Sequence, residues 1–312
     1  MASELFEMQV ALLVRVLPYV ATENCFALKG GTAINLFIRD LPRLSVDIDL
    51  VYLPIEDRET SLVGIRSALS RITQKIRRAI PDSVVIDSAN ADGTLVLVRQ
   101  RNAQIKIEVT PVLRGTVHPV EVRTVRPIVE EQFGFVEIQV VSFADLYAGK
   151  LVAAIDRQHP RDLFDVQYLL ANEGIDKALH QTFLAYILSH NRPAHELLQP
   201  HLKDIRQAFD REFVGMTVDE TSLDTLLSTR EQLVAEIRSR LDENSKLFLM
   251  SFHMLRPDWD LINSPTIRNL PAIRWKLMNL ERLHTENPEK YRALLQNLDA
   301  TLSGLELQAG AT

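Results

Sequence analysis

The sequence predicts an α+β protein in which residues 1–141 form a mixed sheet with flanking helices and residues 142–312 are all helical. Two observations predict this class. Short runs rich in Val and Ile, bounded by Gly, Pro, Asn or Asp, are confined to the first half of the chain. From Ser142 onward the apolar residues recur with a helical period. A chain of 312 residues is also long enough for two domains of roughly 150 residues each.

Helical and strand-like patterns alternate in the first domain. The predicted helices cover residues 4–19, 31–39 and 58–80. The predicted strands cover residues 26–29, 46–52, 83–87, 94–100, 104–109 and 136–141. This order favours a mixed sheet with helices packed beside it.

The second domain begins with two helices whose ends are marked in the sequence. "SFADLYAGKLVAAIDR" starts with a capping box, in which Ser142 and Asp145 each accept a hydrogen bond from the first turn. "PRDLFDVQYLLANEG" has Pro160 at a position suited to a helix start and Gly174 at one suited to its end. The remaining predicted helices cover residues 178–191, 201–212, 222–253 and 267–300. We place the domain boundary near residue 142.

Cysteine usage and the N-terminal segment predict a cytoplasmic protein. The single cysteine, Cys25, has no second cysteine in the chain to pair with, which fits a reducing compartment. Glu4 and Glu7 stand where a signal peptide carries positive charge, and Arg15 interrupts a short apolar run. We therefore expect neither secretion nor a membrane partner.

The charge balance argues against a protein that coats nucleic acid through bulk positive charge, because the formal net charge is −6. Basic residues nevertheless cluster along the first domain. They are Arg71, Lys75, Arg77, Arg78, Arg99, Arg101, Lys106, Arg114, Arg123 and Arg126. Charge clusters of this kind are most often solvated surface, and the alternative is a local basic groove for RNA.

Two acidic side chains lie on one face of a predicted strand. In "VDIDL" the period of two points Asp47 and Asp49 one way and the apolar residues the other. "QIKIEVT" repeats the pattern and presents Glu108 on its polar face. If this strand lies beside the first, Glu108 would lie roughly 5 Å from an aspartate. Three crowded carboxylates favour a cation, and oxygen ligands suit Mg²⁺ or Mn²⁺. The alternative is an edge strand with ordinary exposed acids.

Two glycines precede this acidic strand. Gly30 and Gly31 end one predicted strand and open a helix, where free backbone N–H groups attract phosphate. Thr32 either caps that helix or binds a phosphate oxygen. Gly-Gly alone is most often a tight turn, so it is the order of glycines, helix and acidic strand that predicts a nucleotide site.

This order resembles the nucleotidyltransferase fold of the polymerase beta type. "KGGTAINLFIRDLPRLSVDIDL", "VSFADLYAGKLVAAIDRQHPRDLFDVQYLL" and "NLPAIRWKLMNLERL" together are similar to the AbiEii/AbiGii toxin family, which includes the MenT toxins. Thr32 stands where many relatives have serine. The resemblance implies a toxin of a toxin–antitoxin pair in abortive infection and phage defence. It further implies nucleotide addition to the 3′ end of tRNA and restraint by a cognate antitoxin.

The helix that contains Lys150 carries a second set of candidates. Lys150 lies within or beside an apolar stripe, so either its ammonium reaches water past a packed stem or it offsets triphosphate charge in a cleft between the domains. The resemblance favours the second role. Asp162 suits the positive end of a helix dipole, whereas Asp165 falls among apolar residues and needs a partner such as Arg161, Lys150 or a metal-bound water. The resemblance implies an active-site role for Asp165 and for Asp162.

We therefore predict a nucleotidyltransferase that uses NTP and Mg²⁺ or Mn²⁺, with the helical domain closing the nucleotide cleft. The predicted catalytic residues are Asp47, Asp49, Glu108, Lys150, Asp162 and Asp165, the first three as metal ligands. The predicted nucleotide-binding residues are Gly30, Gly31, Thr32, Ser45, Lys150, Arg157 and Arg161. The alternatives are a nucleotidyltransferase or kinase that acts on a small molecule or protein, and a non-catalytic nucleotide-binding module.

Overall fold

The structure, a computed structural model, describes residues 2–87, 92–262 and 264–309. It divides the chain into two compact units. Unit 1 comprises Met1–Ser142 together with Glu212–Thr221, and unit 2 comprises Phe143–Arg211 and Ser222–Thr312. The sequence prediction placed the Glu212–Thr221 segment in the helical domain, but in the structure this segment belongs to unit 1 because it contacts the chain near Arg43. Its contacts include a backbone bridge between Arg43 and Thr217.

Unit 1 is built on one mixed sheet. Its strands in the described residues are β1 (Phe26–Lys29), β2 (Asp47–Tyr52), β3 (Ser83–Ile86), β4 (Leu95–Gln100), β5 (Ala103–Arg114), β6 (Glu121–Thr124) and β7 (Glu137–Val140). They lie in the order β3-β4-β5-β2-β1-β7-β6. The central strand β2 runs antiparallel to β1 and parallel to β5. This topology places the end of β1 and the middle of β5 on either side of the acidic strand.

Helices flank the sheet in unit 1. They are α1 (Ala2–Ala21), α2 (Gly30–Ala33), α3 (Arg58–Ala79) and α4 (Pro127–Phe133), and a π-helical stretch, Ile34–Ile38, continues α2. On α3, Ile65, Leu69, Ile72 and Ile76 recur at helical spacing and are fully buried. Ile48 and Leu50 of β2 are also fully buried. Burial of the apolar face of β2 fixes its register and leaves the two aspartates on the opposite face.

The secondary structure of unit 2 is helical, and its described residues contain no strand. Its helices are α5 (Phe143–Asp156), α6 (Pro160–Asn172), α7 (Lys177–Leu188), α8 (Ala194–Leu198), α9 (Arg206–Glu212, whose last residue belongs to unit 1), α10 (Leu223–Ser239), α11 (Glu243–His253), α12 (Pro271–Glu286) and α13 (Pro288–Ala309). The α+β class predicted from the sequence is therefore confirmed. In the described part of the chain, no helix combines the length and apolar character needed to cross a membrane.

Several predicted element boundaries were wrong. The helix predicted over 222–253 is two helices, because Asp242 caps a new helix and accepts a hydrogen bond from the Ser245 N–H. The helix predicted over 267–300 also divides, and Pro288 begins its second part. Neither β6 nor α4 was predicted, since both are short.

Candidate active site

The acidic strand β2 lies between two strands that carry charged side chains at matching positions. Asp49 pairs in register with Lys29 of β1 on one side and with Glu108 of β5 on the other. Asp47 pairs with Lys106 of β5. Residues that face each other on neighbouring strands project from the same face of the sheet. The structure therefore brings Asp47, Asp49 and Glu108 together on one surface, and we call these three residues the acidic face.

Gly30 is required where it stands, for two independent reasons. Its φ of +74° lies in the left-handed region that favours glycine. A Cβ at this position would lie 2.5 Å from Oδ2 of Asp49, which is far closer than atoms approach without a bond. Gly31 also has little room, because a Cβ there would lie 2.7 Å from the Arg43 guanidinium and 2.8 Å from Ser45 Oγ, so one of these side chains would have to shift. The glycine turn thus packs directly against the acidic face.

The hydroxyl of Thr32 is used inside the fold. Thr32 is fully buried, and its Oγ1 donates to the backbone carbonyl of Asp47. It also lies 3.1 Å from Ser45 Oγ. Lys29 supplies no side-chain cap to the helix that Gly30 begins. Thr32 and Ser45 therefore tie the glycine turn to the start of β2, while the first backbone N–H groups of α2 lack a side-chain cap. Phosphate binding by Thr32 and Ser45 stays a prediction.

The donor chemistry of the acidic face fits a hard divalent cation. All three side chains offer carboxylate oxygens, which suit Mg²⁺ or Mn²⁺ better than Zn²⁺. No described residue donates a hydrogen bond to the half-buried carboxylate of Asp49. Glu108, however, is turned towards Lys106, with 2.8 Å between Oε2 and Nζ. Among the described residues, no three His, Cys, Asp or Glu side chains converge closely enough to hold a metal ion as they stand.

A buried ion cluster lies within unit 2. Lys150 of α5 is only 7% exposed, and its Nζ lies 2.7 Å from Asp162 Oδ1 and 2.9 Å from Asp165 Oδ2. Both carboxylates belong to α6 and are 1% exposed. Two buried carboxylates that share one partner require that partner to be a cation, and Lys150 is that cation. The partner that the sequence analysis required for Asp165 is thus Lys150.

Arg157 completes this cluster at its exposed side. Its guanidinium donates to both carboxylate oxygens of Asp162, and its side chain is 64% exposed. Burial favours the neutral form of Asp162, but Lys150 and Arg157 outweigh it and hold the pKa of Asp162 well below its usual range. Arg161 stands apart, since its side chain makes no ion pair with the described residues. Of the two predicted arginines, the structure brings only Arg157 into the cluster.

Most of the basic side chains in the first domain are engaged within the fold. Arg71 and Lys75 both pair with Glu23, which is 7% exposed. The other engaged groups are Arg77 with the Val85 carbonyl, Arg99 with Gln104, Arg114 with the Asp57 carbonyl, Arg123 with Glu121, and Arg126 with Asp40. These contacts favour the surface interpretation over a groove kept open for RNA.

Two cations lie beside the predicted site but were not predicted as part of it: Arg43, and Lys106, which the sequence analysis counted only among the clustered basic residues. Arg43 is 3% exposed, and its guanidinium donates a hydrogen bond to the Leu44 carbonyl. It follows Pro42 in a turn, where no periodic pattern of apolar residues indicates which side chains are buried. The strand period of two in "QIKIEVT" places Lys106 on the same face of β5 as Glu108. Burial opposes its charge, but the hydrogen bond to Glu108 and the nearby Asp47 and Asp49 outweigh burial and raise the pKa of Lys106. Lys106 is therefore a cation at the edge of the acidic face.

Comparison with known proteins agrees with this fold. MenT4, a nucleotidyltransferase toxin from Mycobacterium tuberculosis H37Rv, is similar in structure, with a TM-score of 0.60. The two chains are 16% identical, and the match covers 88% of this chain and 93% of MenT4, so it shows a shared fold. No curated protein sequence matches. The profile of the family described as "Nucleotidyl transferase AbiEii toxin, Type IV TA system" matches residues 11–279. The chain therefore belongs to the AbiEii family of nucleotidyltransferase toxins from type IV toxin–antitoxin systems.

Proposed function

We propose that this protein transfers a nucleoside monophosphate from an NTP to an RNA acceptor, the 3′ end of tRNA, and releases pyrophosphate. The observation that carries the proposal is the register of Asp49 with Glu108, beside a glycine turn that packs against Asp49. Carboxylates and a glycine turn placed together serve phosphoryl chemistry, in which catalysis is mostly positioning and charge stabilisation. Membership of the AbiEii family supports the same reaction class.

Each group in unit 1 has a proposed role. Asp47, Asp49 and Glu108 would hold Mg²⁺ or Mn²⁺, which would neutralise charge on the triphosphate. Glu108 would also accept the proton of the acceptor hydroxyl. The uncapped N–H groups after Lys29 would bind phosphate oxygens, with Thr32 and Ser45 holding the turn in place.

The residues proposed for unit 2 act through positive charge. Arg157 is the best placed to meet a phosphate, because much of its guanidinium side chain is exposed while it binds Asp162. Lys150 contributes through the same cluster, since it holds both Asp162 and Asp165. Arg161 remains a proposed nucleotide contact on the strength of its neighbouring position in the chain.

The proposed biological role is that of a toxin restrained by a cognate antitoxin. A type IV toxin–antitoxin family implies such a partner. Modification of the 3′ end of tRNA would block aminoacylation and so arrest translation, which suits abortive infection and phage defence.

The decisive experiment incubates the purified protein with tRNA, Mg²⁺ and each labelled NTP in turn. We expect label on tRNA with the native protein and none with Asp49→Asn, which removes a charge without changing the size of the side chain. Asp299→Asn is the matched control, because Asp299 is an exposed residue of α13. Absence of label on any RNA with the native protein would contradict the proposal, and NTP binding without turnover would favour a non-catalytic module.

One observation favours a second candidate, in which the acceptor is a small molecule or a protein. The basic side chains between residues 71 and 126 are mostly paired within the fold, so few remain to neutralise RNA phosphates. An RNA acceptor held by charge should lose affinity steeply as salt rises. Transfer of label to protein, or activity that does not change with salt and requires no RNA, would support the second candidate.

A further inference from the structure

The acidic face contains a cation of its own. Lys106 and Glu108 are two residues apart on β5 and therefore project from the same face of the sheet. Lys106 pairs in register with Asp47, and Glu108 with Asp49. The four side chains thus form a two-by-two array of three carboxylates and one ammonium. The ammonium of Lys106 already neutralises part of the negative charge of this array. An incoming divalent cation would have to bind beside it.

The contact between Lys106 and Glu108 involves a group that we assign to the metal. Nζ of Lys106 lies 2.8 Å from Oε2 of Glu108, so this oxygen already accepts a charged hydrogen bond. A metal ion that takes Glu108 as a ligand must weaken or break this bond. The bond is breakable, because the side chains of Lys106 and Glu108 are 34% and 42% exposed and water can replace either partner.

We propose that Lys106 is a resident counter-ion that competes with the divalent cation for the acidic face and so limits how tightly that cation binds. The inference rests on the proposed metal role of Asp47, Asp49 and Glu108. In the ion-free protein Lys106 reduces the repulsion among three carboxylates that face one another across two strands. In the ion-bound protein the metal takes over that role and Glu108 exchanges Lys106 for the metal.

The size of the effect follows from Coulomb's law. At the dielectric constant of water, a unit charge about 6 Å from a divalent ion changes the affinity for that ion about tenfold, and about threefold when physiological salt screens it. Removal of the charge from Lys106 should therefore tighten cation binding by that factor. A substrate-binding lysine would behave differently, because its loss would weaken NTP binding and leave the affinity for the free ion unchanged.

The test measures binding of Mn²⁺ alone to the full chain, from the loss of the free-ion signal in electron paramagnetic resonance. We expect Lys106→Met to lower the dissociation constant about three- to tenfold and Lys106→Arg to leave it within about twofold of the native value. Lys106→Gln is a second neutral variant should the methionine variant fold poorly, which a thermal melt will show. Asp49→Asn should abolish the binding.

The matched control is Arg123→Met. Arg123 and Glu121 form a pair with the same spacing on β6, 2.6 Å apart and with exposed fractions of 32% and 47%. This pair lies at the edge of the sheet, away from β2 and β5, so its loss should not alter Mn²⁺ binding. Unchanged or weaker binding in both neutral variants at Lys106, with Asp49→Asn still abolishing it, overturns the inference alone. Failure of every variant and the native protein to bind Mn²⁺ overturns the proposed metal site as well.

Discussion

Gly30 shows how a single residue without a side chain can determine the position of a functional one. The substitution Gly30→Ala would impose a strained φ and push Asp49 away from its place. We expect the free energy of unfolding to fall by about 1–2 kcal/mol from the left-handed conformation alone, and nucleotide transfer to be lost because Asp49 moves. Chemical denaturation and the labelled-NTP assay measure these two effects separately.

Gly174 provides the matched control for this prediction. Its φ of +69° is close to that of Gly30, but a Cβ there would meet no atom within 4 Å. Gly174→Ala should therefore show a similar loss of stability with activity retained. Equal activity in the two variants would contradict the role given to the contact between Gly30 and Asp49.

The Lys150 cluster predicts that two cations bound to the same carboxylate differ strongly in their effect on stability. Lys150→Met would remove the cation that both buried carboxylates, Asp162 and Asp165, contact, and should lower the free energy of unfolding by about 3–5 kcal/mol. Arg157→Gln leaves Lys150 in place to neutralise Asp162 and should cost only about 1–2 kcal/mol. Urea denaturation of both variants measures the difference.

This difference decides how loss of activity in these variants is to be interpreted. A loss of activity in Lys150→Met includes damage to the fold, whereas a loss of activity in an Arg157→Gln protein that is still folded under the assay conditions would support a nucleotide contact. Adding Asp162→Asn and Asp165→Asn to Lys150→Met removes the carboxylate charges that Lys150 had balanced and should recover part of the stability. A Lys150→Met protein as stable as the native one would show that the contacts of Lys150 with the two carboxylates do not contribute to stability.

At the scale of elements, Asp242 determines where one predicted helix becomes two. Its carboxylate accepts a hydrogen bond from the Ser245 N–H at 2.8 Å at the start of α11. We expect Asp242→Ala to lower the free energy of unfolding by about 1 kcal/mol, as is usual for loss of an N-cap. Asp299→Ala, an exposed change within α13, should cause no loss. Equal stability of both variants in thermal melts would show that the cap does not contribute.

Predictions from sequence succeeded for elements with strong patterns and failed where the pattern was short or continuous. β1 and α3 were placed to within a residue at each end because apolar periodicity and flanking turns agree. β6 was missed because it has only four residues and contains no extended run of apolar residues. The break between α10 and α11 was missed because the helical period continues through it, and only the cap at Asp242 shows the end of one helix and the start of the next.

At the scale of the whole molecule, buried histidines predict that acid destabilises unit 2. Burial lowers the pKa of His253 to about 4, against an ordinary value of 6.5. The unfolded chain then takes up a proton as the pH falls through 6.5, and the folded protein does so only near 4. Stability is therefore constant above about pH 6.5 and falls between 6.5 and 4, by up to about 3 kcal/mol from this residue.

Denaturation at several pH values tests this prediction in the native protein and in His253→Asn. The variant retains a donor for the hydrogen bond between His253 Nδ1 and the Leu249 carbonyl. As the pH falls from 6.5 to 4, we expect the stability of His253→Asn to fall less steeply than that of the native protein. Some slope should remain, because burial also lowers the pKa values of His180, His190 and His195. An identical slope in both proteins would show that His253 does not titrate as inferred.

The sequence by itself determined the α+β class, the family resemblance and the acidic strand, because these depend on local periodicity and on the order of short motifs. Only the tertiary structure decided which charges meet. It placed Glu108 and Lys106 beside the aspartates, Lys150 against two carboxylates, and Arg43 behind the glycine turn. Strand order, register and burial arise from contacts between residues far apart in the chain, and no local pattern specifies them.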